Sequence, residues 1–343
     1  MLLSLSREGF KIKIIPVFLR YDYGIKSRGD SLEYQGFYKV LKQLSDEIYP
    51  FWYDEYLTKK DELQKRVIKF VDDIRPDIVF FILMKDEFSF ETLDYLKNKY
   101  ITINWFCDDQ WRFENFTKYY AFHFTYAITT DKFALNKYRK IGYENVILSQ
   151  WASFGFTEDI DFEAIKYKYN VSFVGGISGY RKWLINKLEK AGMKIECFGV
   201  GWGNGRINFN EMVDIFKNSK INLNISNSMS HDIRYIFSSL RSIKEFLKSK
   251  KRIEQIKARN FEIPAFGGFQ LTNYVPCLED YFDIGREVAV YISFDDLILQ
   301  INYYLNNDEE RKKIMINGYK SSCKEHTYFH KLKKIFKELG INL

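Results

Sequence analysis

The stretch Gln255 to Leu271, reading QIKARNFEIPAFGGFQL, gathers residue types suited to a charged nucleotide. Two cations, Lys257 and Arg259, precede one acid, Glu262, and the pair Gly267-Gly268 opens an apolar run. The pattern predicts a short helix, a tight turn and a buried strand. A helix N-terminus with cations beside it suits a diphosphate. A carboxylate fixed on the same helix suits the hydroxyls of a ribose. The plainer alternative is a charged helix stopped by glycine. A second candidate is the loop Gly175-Gly176-Ile177-Ser178-Gly179 followed by Arg181. Its amides can approach a diphosphate closely, and Arg181 adds charge. It is no Walker loop, because no Gly-Lys-Ser/Thr follows, and its glycine spacing is not that of a dinucleotide fingerprint. Ser226, at the end of a later strand, is grouped with these donor-binding residues.

The third candidate is the pair Asp108-Asp109, directly after an apolar strand. Adjacent carboxylates repel, which raises one pKa, and a carboxylate so placed can take a proton from an acceptor hydroxyl. Neighbours along a turn point different ways, so one catalytic acid and one structural cap are expected, with Asp109 as the accessible member. The alternative is a helix N-cap pair. Glu254 lies eight residues before Glu262 and reads equally well as a helix-surface residue among lysines. The four cysteines form no C-x-x-C and the four histidines are scattered, so neither a metal site nor a nucleophilic triad is read. No nucleic-acid module is recognisable.

These candidates need a scaffold, and the hydrophobic patterning supplies one. Strands are expected at Ile12–Leu19, Ile78–Met84, Ile101–Phe106, Tyr126–Thr130 and Asn145–Gln150, with helices between them. A second βα series starts at Val171, with further strands near Lys194–Gly199, Ile221–Ser226, Phe269–Thr272 and Val288–Ile292. Alternating strands and helices, with strands lacking a polar face, predict parallel sheets covered on both sides. The fold class is therefore α/β: two Rossmann-like, doubly wound domains facing a cleft, with ligands at the carboxyl ends of the strands. The boundaries are placed at 1–165 and 166–343, with the last helix as a candidate for return to the N-terminal domain. At 343 residues, 46% hydrophobic and 28% charged, the chain is globular, and a net charge of +7 favours anionic partners.

The segment 229–252 interrupts the second series and is basic and amphipathic. Its functional reading is a surface helix on anionic lipid or polymer, and its plainer reading a solvated helix packed on the domain. The longest apolar run is far short of the roughly 20 residues a membrane span requires, and the first residues lack the basic start of a signal peptide. A cytoplasmic location is expected, with peripheral contact at the inner membrane face under the functional reading of 229–252.

Arg259, Phe261, Glu262, Ile263, Pro264, Gly267, Gly268, Phe269, Leu271 and Thr272 fit the pattern R-x-F-E-I-P-x-x-G-G-F-x-L-T. This resembles the donor-site segment of GT-B glycosyltransferases, most closely the spore-maturation CgeB-like branch. Tyr21, Tyr23, Gly24, Arg28, Gly29, Ser31 and Glu33 fit that branch's opening loop, and Trp105, Asp108, Asp109, Trp111 and Arg112 its W-x-x-D-D-x-W-R. The resemblance implies a metal-independent GT-B transferase without a cofactor. Its donor would be a UDP-, GDP- or dTDP-sugar and its acceptor a polysaccharide, glycolipid or protein. Gly175, Gly176, Gly179, Arg181, Ser226, Lys257, Arg259, Glu262, Gly267 and Gly268 would bind the donor, and Asp108 and Asp109 would serve catalysis. Glu254 and Glu262 also have the spacing of a glutamate pair found in retaining GT-B enzymes. A GT-B-shaped nucleotide-sugar epimerase and a catalytically silent nucleotide-sugar-binding protein remain as alternatives.

Overall fold

The computed structural model describes residues 12–45, 47–155, 159–226, 228 and 230–341. The chain divides into two compact units, one built from residues up to Gln150 together with the stretch from Tyr328 onward, the other from Trp151–Thr327.

The first unit carries β1 (Ile14–Phe18), β2 (Phe51–Trp52), β3 (Ile78–Phe81), β4 (Ile101–Phe106), β5 (Tyr126–Thr129) and β6 (Val146–Leu148). They form one parallel sheet in the order β2-β1-β3-β4-β5-β6. All of β1 and β3 is buried, as parallel strands covered on both faces must be. Proline in β1 suggests an edge, yet β1 pairs with both β2 and β3. Ile14 bonds toward the β2 side through Glu47 and Tyr49, and Phe18 through Tyr53. Pro16 shares their parity, so its missing N–H falls where the short β2 leaves the ladder interrupted. Sequence patterning did not reveal β2, which is only two residues long.

Ser31 starts the next helical segment: its hydroxyl donates to the Leu19 carbonyl at 2.6 Å and accepts the Tyr34 amide at 2.9 Å. The segment begins as a π-helix, Glu33–Tyr38, and continues as an α-helix, Lys39–Leu44. The terminal helix Tyr328–Glu338 packs on it, burying Tyr328, Leu332, Ile335 and Phe336, with the Tyr328 ring 4.9 Å from Phe37.

The second unit carries β7 (Tyr169–Val174), β8 (Glu196–Phe198), β9 (Ser219–Asn224), β10 (Gln270–Asn273) and β11 (Ala289–Tyr291), parallel in the order β11-β10-β9-β7-β8. Alternate residues of β7 feed two cores. Val171 and Phe173 pack with the helices Gly179–Lys190 and Phe294–Asn306, while Val174 packs with Phe209–Lys217 and Ala258–Ala265. The sheet is therefore doubly wound. Polar side chains tie its centre: Ser172 donates to Asn222, whose amide donates to the Phe216 and Phe269 carbonyls.

Tyr328 is wholly buried in the first unit. Tyr328→Ala is expected to cost about 3–5 kcal/mol, the range for truncating a core aromatic, read from equilibrium urea denaturation.

Candidate functional site

In the second unit the chain departs from β7 to β8 on one side and β9 on the other, the switch point where open α/β sheets bind ligands. A cavity of about 210 Å³ opens there. Gly175 follows β7, Ile225 and Ser226 follow β9, and Asn273 ends β10; the N-terminal end of the Ala258–Ala265 helix contributes Lys257, Arg259 and Asn260. The lining holds three cations, Arg181, Lys257 and Arg259, and no carboxylate.

Arg181 is fixed by main chain. Its Nε and Nη2 donate to the Ile225 carbonyl at 3.1 and 2.5 Å, and Nη1 donates to the Gly176 carbonyl at 2.9 Å. Among the described residues no carboxylate pairs with it. Burial, and then the charge of Arg259, pushes its pKa down to about 10. Arg259 donates to Glu262 at 2.6 Å and lies 5.2 Å over the Phe216 ring. Lys257 Nζ lies 5.6 Å over the Trp151 ring.

The helix that carries two of these cations is held at both ends. The Lys257 amide donates to Asn260 Oδ1, and the Asn260 amide nitrogen donates to Thr272. Pro264, inside the helix, cannot donate to the Asn260 carbonyl four residues back. Gln270 Nε2 donates there instead at 3.1 Å, and Gln270 Oε1 accepts from Asn224. At the other end Gly268 N–H bonds Ile263 O at 2.9 Å and Gly267 N–H bonds Pro264 O at 3.0 Å, with Gly267 at φ +76°. This pair of bonds is a Schellman stop.

The structure thus brings Gly175, Arg181, Ser226, Lys257 and Arg259 to one cavity, with Gly176 bound to Arg181. It uses the other expected donor residues differently. Gly267 and Gly268 end the helix. A Cβ on Gly179 would meet Glu245 at 2.6 Å and Tyr235 at 2.7 Å, so Gly179 makes room for the inserted segment. Glu262, 5% exposed, does not line the cavity; it holds Arg259, which does. Burial raises its pKa and the Arg259 charge opposes that rise. Trp202 and Gly199 hold the glycine loop from outside: Trp202 Nε1 donates to the Gly175 carbonyl at 2.8 Å, and a Cβ on Gly199 would sit 2.4 Å from that oxygen.

A larger cavity, about 680 Å³, adjoins the first through the shared residue Asn273. Glu254, Tyr180 and Tyr291 line it. Glu254 Oε2 and the hydroxyl of Tyr291 are buried without a hydrogen-bond partner among the described residues.

In the first unit the acid pair follows β4, but its roles are reversed from expectation. Asp109 is 0% exposed and accepts hydrogen bonds from Thr117 and Thr129 at 2.6 Å and from Tyr138 at 2.9 Å. Burial raises its pKa to about 6 against the pull of these hydroxyls. Asp108 is the partly exposed member. The reason is helical phase: Asp109 opens the turn Asp109–Arg112 and points back over β5 and the Ala134–Lys140 helix, while Asp108 precedes the turn. Glu33 is a further carboxylate on this rim, buried beside Ser31, with its pKa raised to about 7 chiefly by burial. The Tyr23 phenol is raised by burial and by Asp22, Asp108 and Glu33, so these acids share one neighbourhood. Among the described residues no three His, Cys, Asp or Glu side chains are grouped to hold a metal ion, and no helix is long and apolar enough to cross a membrane.

Asp109→Ala leaves three buried hydroxyls without their acceptor and should cost about 3 kcal/mol or more. The raised pKa also sets a pH slope. The folded state holds the Asp109 proton more tightly, so stability falls as pH rises from about 4 to about 6. Asp109→Asn should flatten that part of the profile, measured by urea midpoints across the range.

Residues 181–337 match the model of a family described as glycosyl transferase-like. No curated protein matches the chain. Among solved structures, a glycosyltransferase from Rickettsia africae has a TM-score of 0.59 at 10% identity, covering 96% of this chain and 98% of that one. HepE of Anabaena, crystallised with UDP and glucose, has a TM-score of 0.59 at 11% identity, covering 96% and 99%. Sucrose-phosphate synthase of Thermosynechococcus elongatus has a TM-score of 0.59 at 8% identity over 96% and 99%. At these identities the likeness carries the fold, and the two parallel-sheet α/β units of this chain are those of the GT-B class.

Proposed function

We propose that the protein is a glycosyltransferase whose second unit binds a nucleotide-sugar donor, with a UDP-sugar as the first to test. The carrying observation is the switch-point cavity: three cations and no carboxylate in its lining, one of them the half-buried Arg181, fixed by main-chain carbonyls. A diphosphate would neutralise these charges, and the helix N-terminus at Lys257 adds to the attraction. Because Lys257, Arg259 and Arg181 can carry the leaving charge, transfer proceeds without a metal in this reading. Glu262, outside the cavity lining, holds Arg259 in place for that diphosphate. Glu254 Oε2 and the Tyr291 hydroxyl, without a hydrogen-bond partner among the described residues, would meet sugar hydroxyls in the adjoining cavity. In this reading the acceptor is a glycan, glycolipid or protein, and the resemblance of the motifs quoted above supports the CgeB-like branch. Asp108, with Glu33 beside it, takes the place of Asp109 as the expected proton acceptor.

UDP should raise the melting temperature of the wild-type protein by preferential binding to the folded state. Lys257→Ala and Arg259→Ala should each lose about 1.5–3 kcal/mol of that binding, the range for hydrogen bonds to a charged group. Equal UDP, GDP and dTDP affinity in wild type and both variants would refute the site. Donor turnover should survive excess EDTA, and isomerised nucleotide sugar formed without acceptor would make the protein an epimerase instead.

Asp108→Asn should leave UDP binding intact and lower turnover by a factor on the order of 10²–10⁴. Turnover at the wild-type rate would show that the first unit's acid pair has no part in proton transfer.

A further inference from the structure

The inserted segment packs the wrong way round for a solvated helix. Its inward contacts are polar or aromatic: Tyr235 is buried, its hydroxyl bonds Glu245 at 3.1 Å, and its ring meets Tyr180 and Trp183 edge-on. In the helix Leu240–Lys248, Ser242 is also buried. The apolar side chains point outward. Phe237 is 75%, Leu240 86% and Leu247 66% exposed, and Ile233 is 69% exposed on the preceding turn. Leu240, Ile243 and Leu247 stand at helical spacing on one face, and Arg241, Lys244 and Lys248 run beside them at the same spacing. From Arg241 to Arg252 the sequence holds six cations against one acid, Glu245.

An exposed leucine stripe bordered by a basic stripe has the form of a helix that lies in a bilayer interface. The leucines enter the acyl boundary while the cations meet anionic headgroups. We propose that this face, the helix Leu240–Lys248 with Phe237 and the basic run to Arg252, docks the protein on an anionic membrane surface. Charge complementarity selects the occupant: a neutral protein groove would match the leucines but leave the surrounding cations unanswered. A soluble polyanion would match the cations but leave the leucines in water. The inference is independent of the donor reading. It adds a location for transfer, because Ile233 also lines the larger cavity beside Glu254 and Tyr291.

The test uses the full chain with sedimenting vesicles of phosphatidylcholine alone or mixed with phosphatidylglycerol. The expected result is binding to the mixed vesicles, weakened by salt, and little binding to phosphatidylcholine. Leu240→Asp/Leu247→Asp should lower the partition by at least about tenfold through lost apolar burial. Lys244→Gln/Lys248→Gln should lower it by about fivefold for each charge removed. All four side chains are exposed, so melting temperature and nucleotide binding should be unchanged, which checks the fold. Absence of binding to the mixed vesicles overturns the proposal. So does vesicle binding that the leucine variant retains, or heparin binding that matches vesicle binding and ignores the leucines. A dimer in sedimentation velocity that Leu240→Asp/Leu247→Asp dissociates, without vesicle binding, assigns the face to a second copy and also overturns it.

Discussion

A half-buried guanidinium held by main-chain carbonyls, with no ion pair among the described residues, sets the terms for the rim of the second sheet. Removing a charge from water costs several kcal/mol unless it is paired and hydrogen-bonded. Arg181 has three bonds to main-chain carbonyls and, among the described residues, no ion pair; Arg259 adds repulsion that the charge of Glu254 opposes. The carbonyl bonds offset part of the cost and fix the guanidinium between the glycine loop and the end of β9. An anion bound at this rim gains what the protein alone leaves unsatisfied, and gains it from groups that need not move. That is preorganisation in the electrostatic sense.

The same rim depends on a proline that breaks a helical bond in a useful place. Pro264 frees the Asn260 carbonyl, which turns the polar face of the helix toward β10. Gln270 answers it and reaches Asn224 in β9 with its other amide atom. A helix otherwise free to slide along the sheet is thereby pinned in register with two strands. The Schellman stop pins its far end, and a Cβ on Gly268 would meet the Asn222 amide at 2.7 Å and the Phe216 carbonyl at 3.0 Å. Lys257 and Arg259 take their positions from these neutral contacts, and Glu262 then needs only to orient Arg259.

Much of the fold was legible because parallel strands buried on both faces leave apolar runs, near-continuous in β1 and β3 and broken by single polar residues in β4 and β7. What escaped has physical causes. β2 is too short to show periodicity, and the π-turns at Glu33–Tyr38 repeat at a spacing no apolar pattern marks. The site was legible in part. The cations beside the helix start line one cavity with Gly175 and Ser226. The glycines were over-read, since a glycine required by a helix stop or by close packing is spelled the same as one required by a ligand. Trp202 was under-read, because an indole that holds a loop oxygen leaves no sign beyond its own letter.

The acid pair and the inserted segment show a common limit, which is phase. Sequence gives the spacing of side chains along a helix but not the rotation of that helix about its axis. At Asp108-Asp109 a rotation of one residue decides which carboxylate enters the hydroxyl cluster of Thr117, Thr129 and Tyr138 and which stays accessible. In Leu240–Lys248 the same ambiguity decides whether the leucines or Ser242 and Glu245 meet the domain. The rotation is set by partners distant in sequence: Tyr138 for the first, Tyr235 and the absent side chain of Gly179 for the second. Gly179 leaves room for that packing, since a Cβ there would meet the Glu245 carboxylate at 2.6 Å and the Tyr235 hydroxyl at 2.7 Å. The glycine expected to approach a phosphate thus packs instead against the polar face that the insertion turns inward.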